Sequence, residues 1–322
     1  MRSIIRCAIW LVAALAMNAA ASAQEYPSRI ITLVVGYAPG SSSDLLARTL
    51  GQALQQRWGQ PVVVENRPGS GGNVAGTYVA RSANDGYTLF VTTDATLTSN
   101  PFLYQSIAFD PLKDFAPIIK AADNKIVLAV NPGLPVKSVP ELIAYAKERS
   151  GQLTFGSSGV GSPHHLAGEL LAQMAGLKLN HVPYKGGAPA VSDLIGGHIA
   201  MAFLSLSAAR PFHDSGQIRI IASVEKTRYA GTPDIPTIGE TVPGFEISSW
   251  VALVAPAGVP TVIVSKLNRE TAVILADQDI EKKLSDLGLV VAGGTPEDLE
   301  QTIKTGLEIR GKAIKDAGVQ PE

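Results

Sequence analysis

The sequence predicts an α/β fold with mainly parallel sheets, on the basis of two observations. Short apolar runs alternate with amphipathic helical patterns along most of the chain, which is typical of strand–helix–strand units. Twice, an apolar run leads through a Gly/Ser-rich turn into a helical pattern, at residues 36–44 and at residues 156–165. A chain of 322 residues is also long enough for two domains.

Residues 1–23 have the composition of a secretory signal peptide. Two arginines give a positive start, an apolar run follows, and Ala21-Ser22-Ala23 fits a small-residue cleavage site. Cleavage between Ala23 and Gln24 would remove Cys7, the single cysteine of the chain. We therefore expect a periplasmic protein whose mature chain has no disulfide and no thiolate.

The composition excludes several classes of partner. The formal net charge is −1 and no basic stripe with interleaved aromatic residues occurs, so we expect no nucleic-acid partner. No segment after the signal peptide has 18 uninterrupted apolar residues, so we expect no membrane span.

The first half of the chain contains four predicted strands and three predicted helices. The strands are at residues 30–35, 61–65, 87–92 and 126–130. The first helix has its buried face at Leu46, Leu50, Leu54 and Trp58, one every four residues. The second begins at Asn73 after a glycine cluster, and Ser138 with Glu141 forms a capping box for the third.

The second half repeats the strand–turn–helix arrangement. A strand at residues 153–155 leads into a Gly/Ser loop, Ser162 is a predicted N-cap, and Pro163 occupies the first helical position. Gly176 is a natural end for this helix. Further elements follow, namely strands near residues 181–184, 199–203, 218–223 and 250–255, a helix at 190–195, and a capped helix from Thr295.

The two Gly/Ser turns indicate an anion-binding site. Helix N-termini offer free N–H groups and the positive end of the helix dipole, and nearby hydroxyls add donors. In open α/β sheets, ligands bind beyond the carboxyl ends of strands, where these turns lie. A plainer interpretation is that Ser42 or Ser43 caps the first helix and Asp44 sits favourably in its first turn.

Enzyme motifs are missing from the sequence. No G-x-S-x-G elbow, Walker A loop or G-x-G-x-x-G fingerprint occurs, so we expect neither an enzyme nor a nucleotide cofactor. His164 and His165 are adjacent, and neighbouring helix positions point about 100° apart, so no metal site is predicted. One of the pair is expected to face the binding loop, and we choose His165; in the alternative, both are solvated.

Ordered blocks along nearly all of the mature chain carry a family resemblance. They include Gly40-Ser41-Ser42-Ser43-Asp44, residues 61–69 (PVVVENRPG), Asp85-Gly86-Tyr87-Thr88-Leu89, Gly156-Ser157-Ser158-Gly159 and residues 181–186 (HVPYKG). In these blocks the chain resembles the Bug family, the periplasmic substrate-binding proteins of tripartite tricarboxylate transporters.

The resemblance implies a two-domain Venus flytrap fold of the type II-like periplasmic-binding-protein kind, with mixed sheets flanked by helices and a cleft between domains. It places domain 1 at residues 24–123 plus 227–322 and domain 2 at residues 124–226. It also implies that the two Gly/Ser loops grip a carboxylate. The expected ligand-binding residues are Tyr37, Ala38, Gly40, Ser41, Ser42, Ser43, Asp44, Thr93, Ser157, Ser158, Gly161, Ser162, His165, Tyr184 and Ser205.

Two departures from the family pattern bear on the ligand. Ser41 stands where the family commonly has a second glycine, and it adds a side chain at the cleft. Leu204-Ser205 stands where the family tends to have Asp-Asn, and the loss of a polar contact from that loop favours a less polar carboxylate. The predicted function is capture of a small mono- or dicarboxylate or aromatic acid for uptake through the transporter's membrane permease subunits, by a monomer. The alternatives are carboxylate sensing without transport and, third, a hydrolase that uses the cleft.

Overall fold

The structure, a computed structural model, describes residues 26–316. The predicted signal peptide at residues 1–23 lies outside the described residues. Within residues 26–316, no helix is both long enough and apolar enough to cross a membrane.

Strands and helices alternate along the chain. The strands are β1 (Ile31–Val35), β2 (Val62–Asn66), β3 (Thr88–Thr93), β4 (Phe115–Asn124), β5 (Ile126–Val130), β6 (Leu153–Ser157), β7 (Leu179–Pro183), β8 (Met201–Ser205), β9 (Arg219–Ser223), β10 (Trp250–Pro256) and β11 (Leu289–Gly293). The helices are α1 (Ser42–Trp58), α2 (Asn73–Ala80), α3 (Asp94–Thr98), α4 (Asn100–Leu103), α5 (Val139–Glu148), α6 (Pro163–Ala175), α7 (Gly187–Ile195), α8 (Leu206–Asp214), α9 (Thr261–Leu275), α10 (Gln278–Asp286) and α11 (Pro296–Asp316).

The strands form two sheets, one in each of two domains. The first sheet has six strands in the order β11-β4-β10-β3-β1-β2, and the second has five in the order β7-β6-β8-β5-β9. The first sheet takes strands from both ends of the chain, whereas the second takes only the middle segment. This arrangement confirms the two-domain fold with mixed sheets that the family resemblance implies.

The prediction of mainly parallel sheets is wrong. In the first sheet β1 pairs in parallel with β2 and β3, but β10 is antiparallel to β3 and β4, and β11 is antiparallel to β4. In the second sheet β5 is antiparallel to both β8 and β9. Local patterns identify a strand but not its partner, so the direction of pairing between distant segments could not be predicted from them.

Both faces of each sheet are covered by helices. In β1, Leu33 and Val35 join one core cluster while Val34 joins another on the opposite face, because successive strand residues point to opposite faces. Burial on both faces explains why β1 reads as a continuous apolar run rather than an alternating one. The helix face predicted for α1 is likewise buried at Leu46, Leu50 and Leu54. The spacing of Leu166, Leu170 and Met174 predicts the buried face of α6, but this prediction is wrong in phase, because Met174 is 39% exposed and the fully buried positions include Ala167 and Leu171.

The chain passes from the first sheet to the second within a single residue. β4 ends at Asn124 and β5 begins at Ile126. Between them, the Lys125 N–H donates to the Gly288 carbonyl, while the Lys125 carbonyl accepts from the Leu206 N–H. The crossing is therefore held by backbone hydrogen bonds to both domains.

Some elements had no clear signal in the sequence. The polar stretch after Thr93 forms the short helices α3 and α4, and the segment after Ser205 forms α8. Strands β4 and β11 were also not predicted. Each of these elements depends on a distant partner for its burial, which a local pattern does not show.

Candidate functional site

The first Gly/Ser loop joins the end of β1 to the start of α1. Ser41 is the N-cap, and its hydroxyl oxygen accepts a hydrogen bond from the Asp44 N–H at 3.3 Å. The expectation that Ser42 or Ser43 would be the cap is therefore wrong by one or two positions. Both lie instead in the first helical turn, are buried, and form no hydrogen bond through their N–H groups within the described chain.

Asp44 supports this loop from behind and does not line a cavity. Its carboxylate accepts hydrogen bonds from Arg48, from the Asn66 amide and from the Gly40 N–H. Burial acts to raise the pKa of Asp44, but these hydrogen bonds outweigh it and hold the pKa below its ordinary value. The residue therefore fixes the shape of the loop, because it ties the loop to α1 and β2.

Tyr37 anchors the same loop to the end of β3. Its hydroxyl donates to the Gly71 carbonyl and lies 3.1 Å from the Thr93 hydroxyl. The Gly71 carbonyl also accepts from Thr96 and Asn100. These bonds join the Gly/Ser loop, the glycine cluster before α2 and the end of β3 into one surface of the first domain.

The second Gly/Ser loop joins the end of β6 to the start of α6. As predicted, Ser162 is the N-cap and accepts from the His165 N–H at 3.2 Å, Pro163 occupies the first helical position, and Gly176 ends the helix in the left-handed region. Because Pro163 has no N–H and the His165 N–H is used by the cap, the His164 N–H is the free donor of this first turn.

His164, rather than His165, faces the space between the domains. Its Nδ1 lies 2.5 Å from the Ser158 hydroxyl and its Nε2 lies 3.3 Å from the Ser205 hydroxyl. Burial lowers the pKa of His164 from 6.5 to about 4, so the ring is neutral at neutral pH. The phase of the helix turns His164, the residue before the one chosen from the sequence, toward the cavity, and a ligand contact from His165 stays a prediction.

His165 packs into the second domain. Its ring stacks on His181 with the centroids 4.0 Å apart, its Nδ1 accepts from the Gly161 N–H, and its Nε2 lies 3.5 Å from Glu169. The Ser157 hydroxyl is held in the same cluster, 2.6 Å from His181 Nε2. These residues shape the second loop from inside and line neither cavity of the cleft.

Two adjoining cavities lie between the domains and share Tyr37 and Ser158. The outer cavity has a volume of about 230 Å³ and the inner about 20 Å³, which is room for about one water molecule. The outer cavity is lined by Gly36, Tyr37, Gly69, Ser70, Gly71, Tyr104, Ser158, Gly159, Val160, Pro183, Tyr184 and Lys185. The inner cavity is lined by Tyr37, Ser41, Ser42, Ser43, Thr93, Asn124, Ser158, Pro163, His164, Gly187, Ser205, Ala208 and Ser249.

The cavities bring together eight of the expected ligand-binding residues. These are Tyr37, Ser41, Ser42, Ser43, Thr93, Ser158, Tyr184 and Ser205. Seven others lie behind or beside the cavities, namely Ala38, Gly40, Asp44, Ser157, Gly161, Ser162 and His165. Of these, Ala38 and Gly161 lie close to the opposite domain. A β-carbon built on Gly186 of the second domain would lie 3.0 Å from the β-carbon of Ala38. A β-carbon built on Gly161 would lie 2.6 Å from the side-chain oxygen of Asn100 in the first domain.

Sequence reasoning missed the floor of the inner cavity. Asn124 and Ser249 line it, and Asn124 Nδ2 lies 3.4 Å from the Ser249 hydroxyl oxygen. Ser249 in turn donates to the carboxylate of Asp94, which is paired with Arg310 of α11. Burial raises the pKa of Asp94 even though Arg310 opposes this. Asn124 and Ser249 are 125 residues apart, so no local pattern could have joined them.

Tyr184 lines the outer cavity and is fixed by Asp193. The Tyr184 hydroxyl donates to the Asp193 carboxylate at 2.6 Å. Burial and this neighbour raise the pKa of Tyr184 to about 12, so it remains a neutral phenol. Among residues 26–316, no group of three or more His, Cys, Asp and Glu side chains is arranged to hold a metal ion.

Comparison with known proteins reveals relatives over almost the whole chain. A family model described as the tripartite tricarboxylate transporter family receptor, TctC, matches residues 46–319. Protein BugT of Bordetella pertussis is 34% identical over 311 residues, which cover 96% of this chain and 95% of that protein. A UPF0065 protein from Pseudomonas sp. (strain P51) is 36% identical over 291 residues, covering 90% of this chain and 86% of that protein.

Solved structures of similar proteins share the fold. An R. palustris protein with adipate has a TM-score of 0.90 and 37% identity, covering 92% of this chain and 100% of that one. The periplasmic binding protein BugD has a TM-score of 0.88 and 30% identity over 92% of this chain and 100% of that one. MatC from Rhodopseudomonas palustris with bound malate has a TM-score of 0.85 and 30% identity, covering 90% of this chain and 100% of that one. The chain belongs to the TctC family of tripartite tricarboxylate transporter receptors, in which the Bug proteins are its relatives.

Proposed function

We propose that this chain is a periplasmic receptor that captures a small organic carboxylate between its two domains and delivers it to the membrane subunits of a tripartite tricarboxylate-type transporter. It acts as a monomer and leaves its ligand chemically unchanged. The domains are residues 24–123 plus 227–322 and residues 124–226. The cleavable signal peptide at residues 1–23 directs it to the periplasm.

One observation carries the proposal: two helix N-termini from different domains lie on the same inner cavity. The N–H groups of Ser42 and Ser43 in α1 and of His164 in α6 form no hydrogen bond within residues 26–316. A carboxylate can accept hydrogen bonds from such groups and is favoured by the positive end of each helix dipole.

The inner cavity offers neutral donors to an anion. No Arg, Lys, Asp or Glu side chain is among the residues that line it, whereas six serines, a threonine and an asparagine are. A neutral hydroxyl costs less to leave unpaired than a buried charge. This composition therefore favours reversible capture over permanent retention.

Capture requires the domains to separate and close again. The inner cavity holds about 20 Å³, which is too small for a carboxylate of several carbon atoms. A ligand that binds both loops has a greater affinity for a closed form than for an open one, and it shifts the equilibrium by that difference. The adipate and malate bound to the two related proteins are both carboxylates, which supports this class of ligand.

The hydrolase alternative rests on the contact between Ser158 and His164. A nucleophile next to a base is the arrangement of serine hydrolases, in which a third group orients the base. Here the second ring nitrogen of His164 meets the Ser205 hydroxyl rather than a carboxylate. We therefore favour binding without chemistry.

The proposal is tested by thermal melting of the purified protein with C3 to C8 mono- and dicarboxylates and aromatic acids. A ligand present at about 100 times its Kd should add roughly 2.7 kcal/mol to the free energy of unfolding. If no acid shifts the melting temperature, the carboxylate proposal is wrong. Mass spectrometry of the recovered ligand should find it intact, and any turnover would support the hydrolase instead.

The transport role needs a separate experiment in cells. Deleting the gene should abolish uptake of the labelled acid that the purified protein binds. Unchanged uptake, together with loss of the transcriptional response to that acid, would support sensing without transport.

A further inference from the structure

The inner cavity contains a chain of three side chains linked by hydrogen bonds. The His164 ring lies between the hydroxyls of Ser158 and Ser205, at 2.5 Å and 3.3 Å, and all three residues line the cavity. Neither hydroxyl has another hydrogen-bonding partner in the part of the chain that the structure describes. Ser205 stands at the start of α8 but its side chain does not cap that helix.

A neutral imidazole has one N–H donor and one acceptor nitrogen. If Ser158 donates to Nδ1, then Nε2–H donates to Ser205, and the Ser205 proton is free for a ligand. If Nδ1–H donates to Ser158, then Ser205 donates to Nε2, and the Ser158 proton is free. In either tautomer, one serine keeps a free proton and the other has only lone pairs to offer.

We propose that His164 couples Ser158 and Ser205 into one hydrogen-bond donor and one acceptor, so that this side of the cavity selects carboxylates that also carry a hydroxyl group. The inference deepens the proposed function and rests on it. The ligand's hydroxyl donates to the serine without a free proton, and a carboxylate oxygen accepts from the other.

The opposite side of the cavity has a different polarity. There the free N–H groups of Ser42 and Ser43 are donors only, and they lie at the N-terminus of α1. A carboxylate, which has no proton to donate, can accept hydrogen bonds from these N–H groups and leaves none of them without a partner. On the His164 side, an oxygen that can only accept would face the lone pairs of one serine and remain unpaired, and such a group is costly when buried. The ligand therefore binds with carboxylate oxygens toward α1 and toward the serine that keeps a free proton, and with its hydroxyl toward the serine that has only lone pairs to offer.

The test measures dissociation constants by calorimetry for acids that differ by one hydroxyl. Suitable pairs are malate and succinate, 2-hydroxyglutarate and glutarate, 3-hydroxybutyrate and butyrate, and 2-hydroxyadipate and adipate. We expect the hydroxy acid to bind at least about tenfold more tightly in the pairs that bind. His164→Phe keeps a ring of similar shape and removes the coupling. In this variant the dissociation constants of the two acids of a pair should differ by no more than about threefold.

Two further variants make the result independent of one substitution. Ser205→Ala leaves Ser158 free to donate or accept, so the ratio should fall here as well, even if His164→Phe does not fold. Ser43→Ala lies on the opposite side of the same cavity and keeps the Ser43 N–H, so it should leave the ratio of the two dissociation constants intact.

The outcomes separate this inference from the function on which it rests. If carboxylates bind but the hydroxyl gives no advantage, or if the ratio survives in both His164→Phe and Ser205→Ala, the coupling proposal is wrong while the receptor function stands. If no carboxylate of the pairs or of the wider panel binds, both proposals are wrong.

Discussion

The hydroxyl of Tyr104 donates a hydrogen bond of 2.9 Å to the carbonyl of Val160. Tyr104 directly follows α4 in the first domain, and Val160 lies in the Gly/Ser loop of the second. Both residues line the outer cavity. The bond therefore crosses the cleft and exists only when the two domains are together.

Replacing Tyr104 with Phe should weaken ligand binding by favouring the open form. A single neutral hydrogen bond contributes about 0.5–1.5 kcal/mol, so the Kd should rise roughly two- to tenfold. Calorimetry with the bound acid measures this change. Tyr78→Phe, at an exposed tyrosine whose ring packs under Arg67, is the matched control and should bind as the wild type does. Equal affinity in both variants would show that the bond does not stabilise closure.

Ser42→Tyr should abolish binding while the protein stays folded. Ser42 is 4% exposed and lines the inner cavity at the first turn of α1, so a large ring there fills the space and prevents closure. We expect the Kd to rise by more than about 100-fold, since the ligand loses its contacts with both loops. Ser150→Tyr, at an exposed turn after α5, controls for the added ring. Wild-type affinity in Ser42→Tyr would place the ligand elsewhere.

Acid should destabilise the protein partly through His181. Burial, aided by the neighbouring His165 and opposed by Glu169, lowers the pKa of His181 from 6.5 to about 3. Between these values the unfolded chain binds a proton that the folded chain does not, so the free energy of unfolding falls as the pH decreases. In urea unfolding, His181→Gln should show a shallower fall between about pH 7 and pH 4.5 than the wild type.

The exposed His198 provides the control for this pH dependence. His198→Gln should retain the wild-type slope of unfolding free energy against pH. If His181→Gln also retains that slope, the fold does not keep the His181 ring of the wild type neutral. The absolute stability of His181→Gln does not bear on the question, since the substitution also removes the stacking on His165.

Arg310→Met should destabilise the first domain and weaken ligand binding. Arg310 donates to the carboxylate of Asp94 and to the Ser248 carbonyl, and the Asp94 side chain is 3% exposed. Removing one partner of a buried pair leaves the other uncompensated and costs about 3–5 kcal/mol. Urea unfolding measures the loss, and the double variant Arg310→Met with Asp94→Asn should recover part of it. A loss below about 1 kcal/mol would contradict this account.

Helix N-termini were the features most predictable from the sequence. Ser162, Pro163 and Gly176 take the positions that local capping preferences assign to them, because a cap depends on residues within one turn. The first loop shows the limit of such signals. Three consecutive serines all satisfy the cap preference, and only the backbone shows that Ser41 has the extended conformation that a cap requires.

The two histidines show why the sequence predicts a region for the site but not which side chain reaches the cavity. Adjacent helix positions differ by about 100° in direction, so one faces the cleft and the other the domain interior. Which one does so depends on how α6 packs against β6 and β7, where Phe155 and His181 receive the ring of His165. The linkage of His164 to Ser158 and Ser205 follows from that packing.

The sequence by itself determined the strand–turn–helix units, because turn chemistry, capping and apolar periodicity are local, and its ordered blocks carried the resemblance to the family. Only the tertiary structure decided which strands pair antiparallel, which hydroxyls line the inner cavity, and that Asn124 and Ser249 form its floor. These properties depend on contacts between segments that are distant in the chain, and no local preference specifies such contacts.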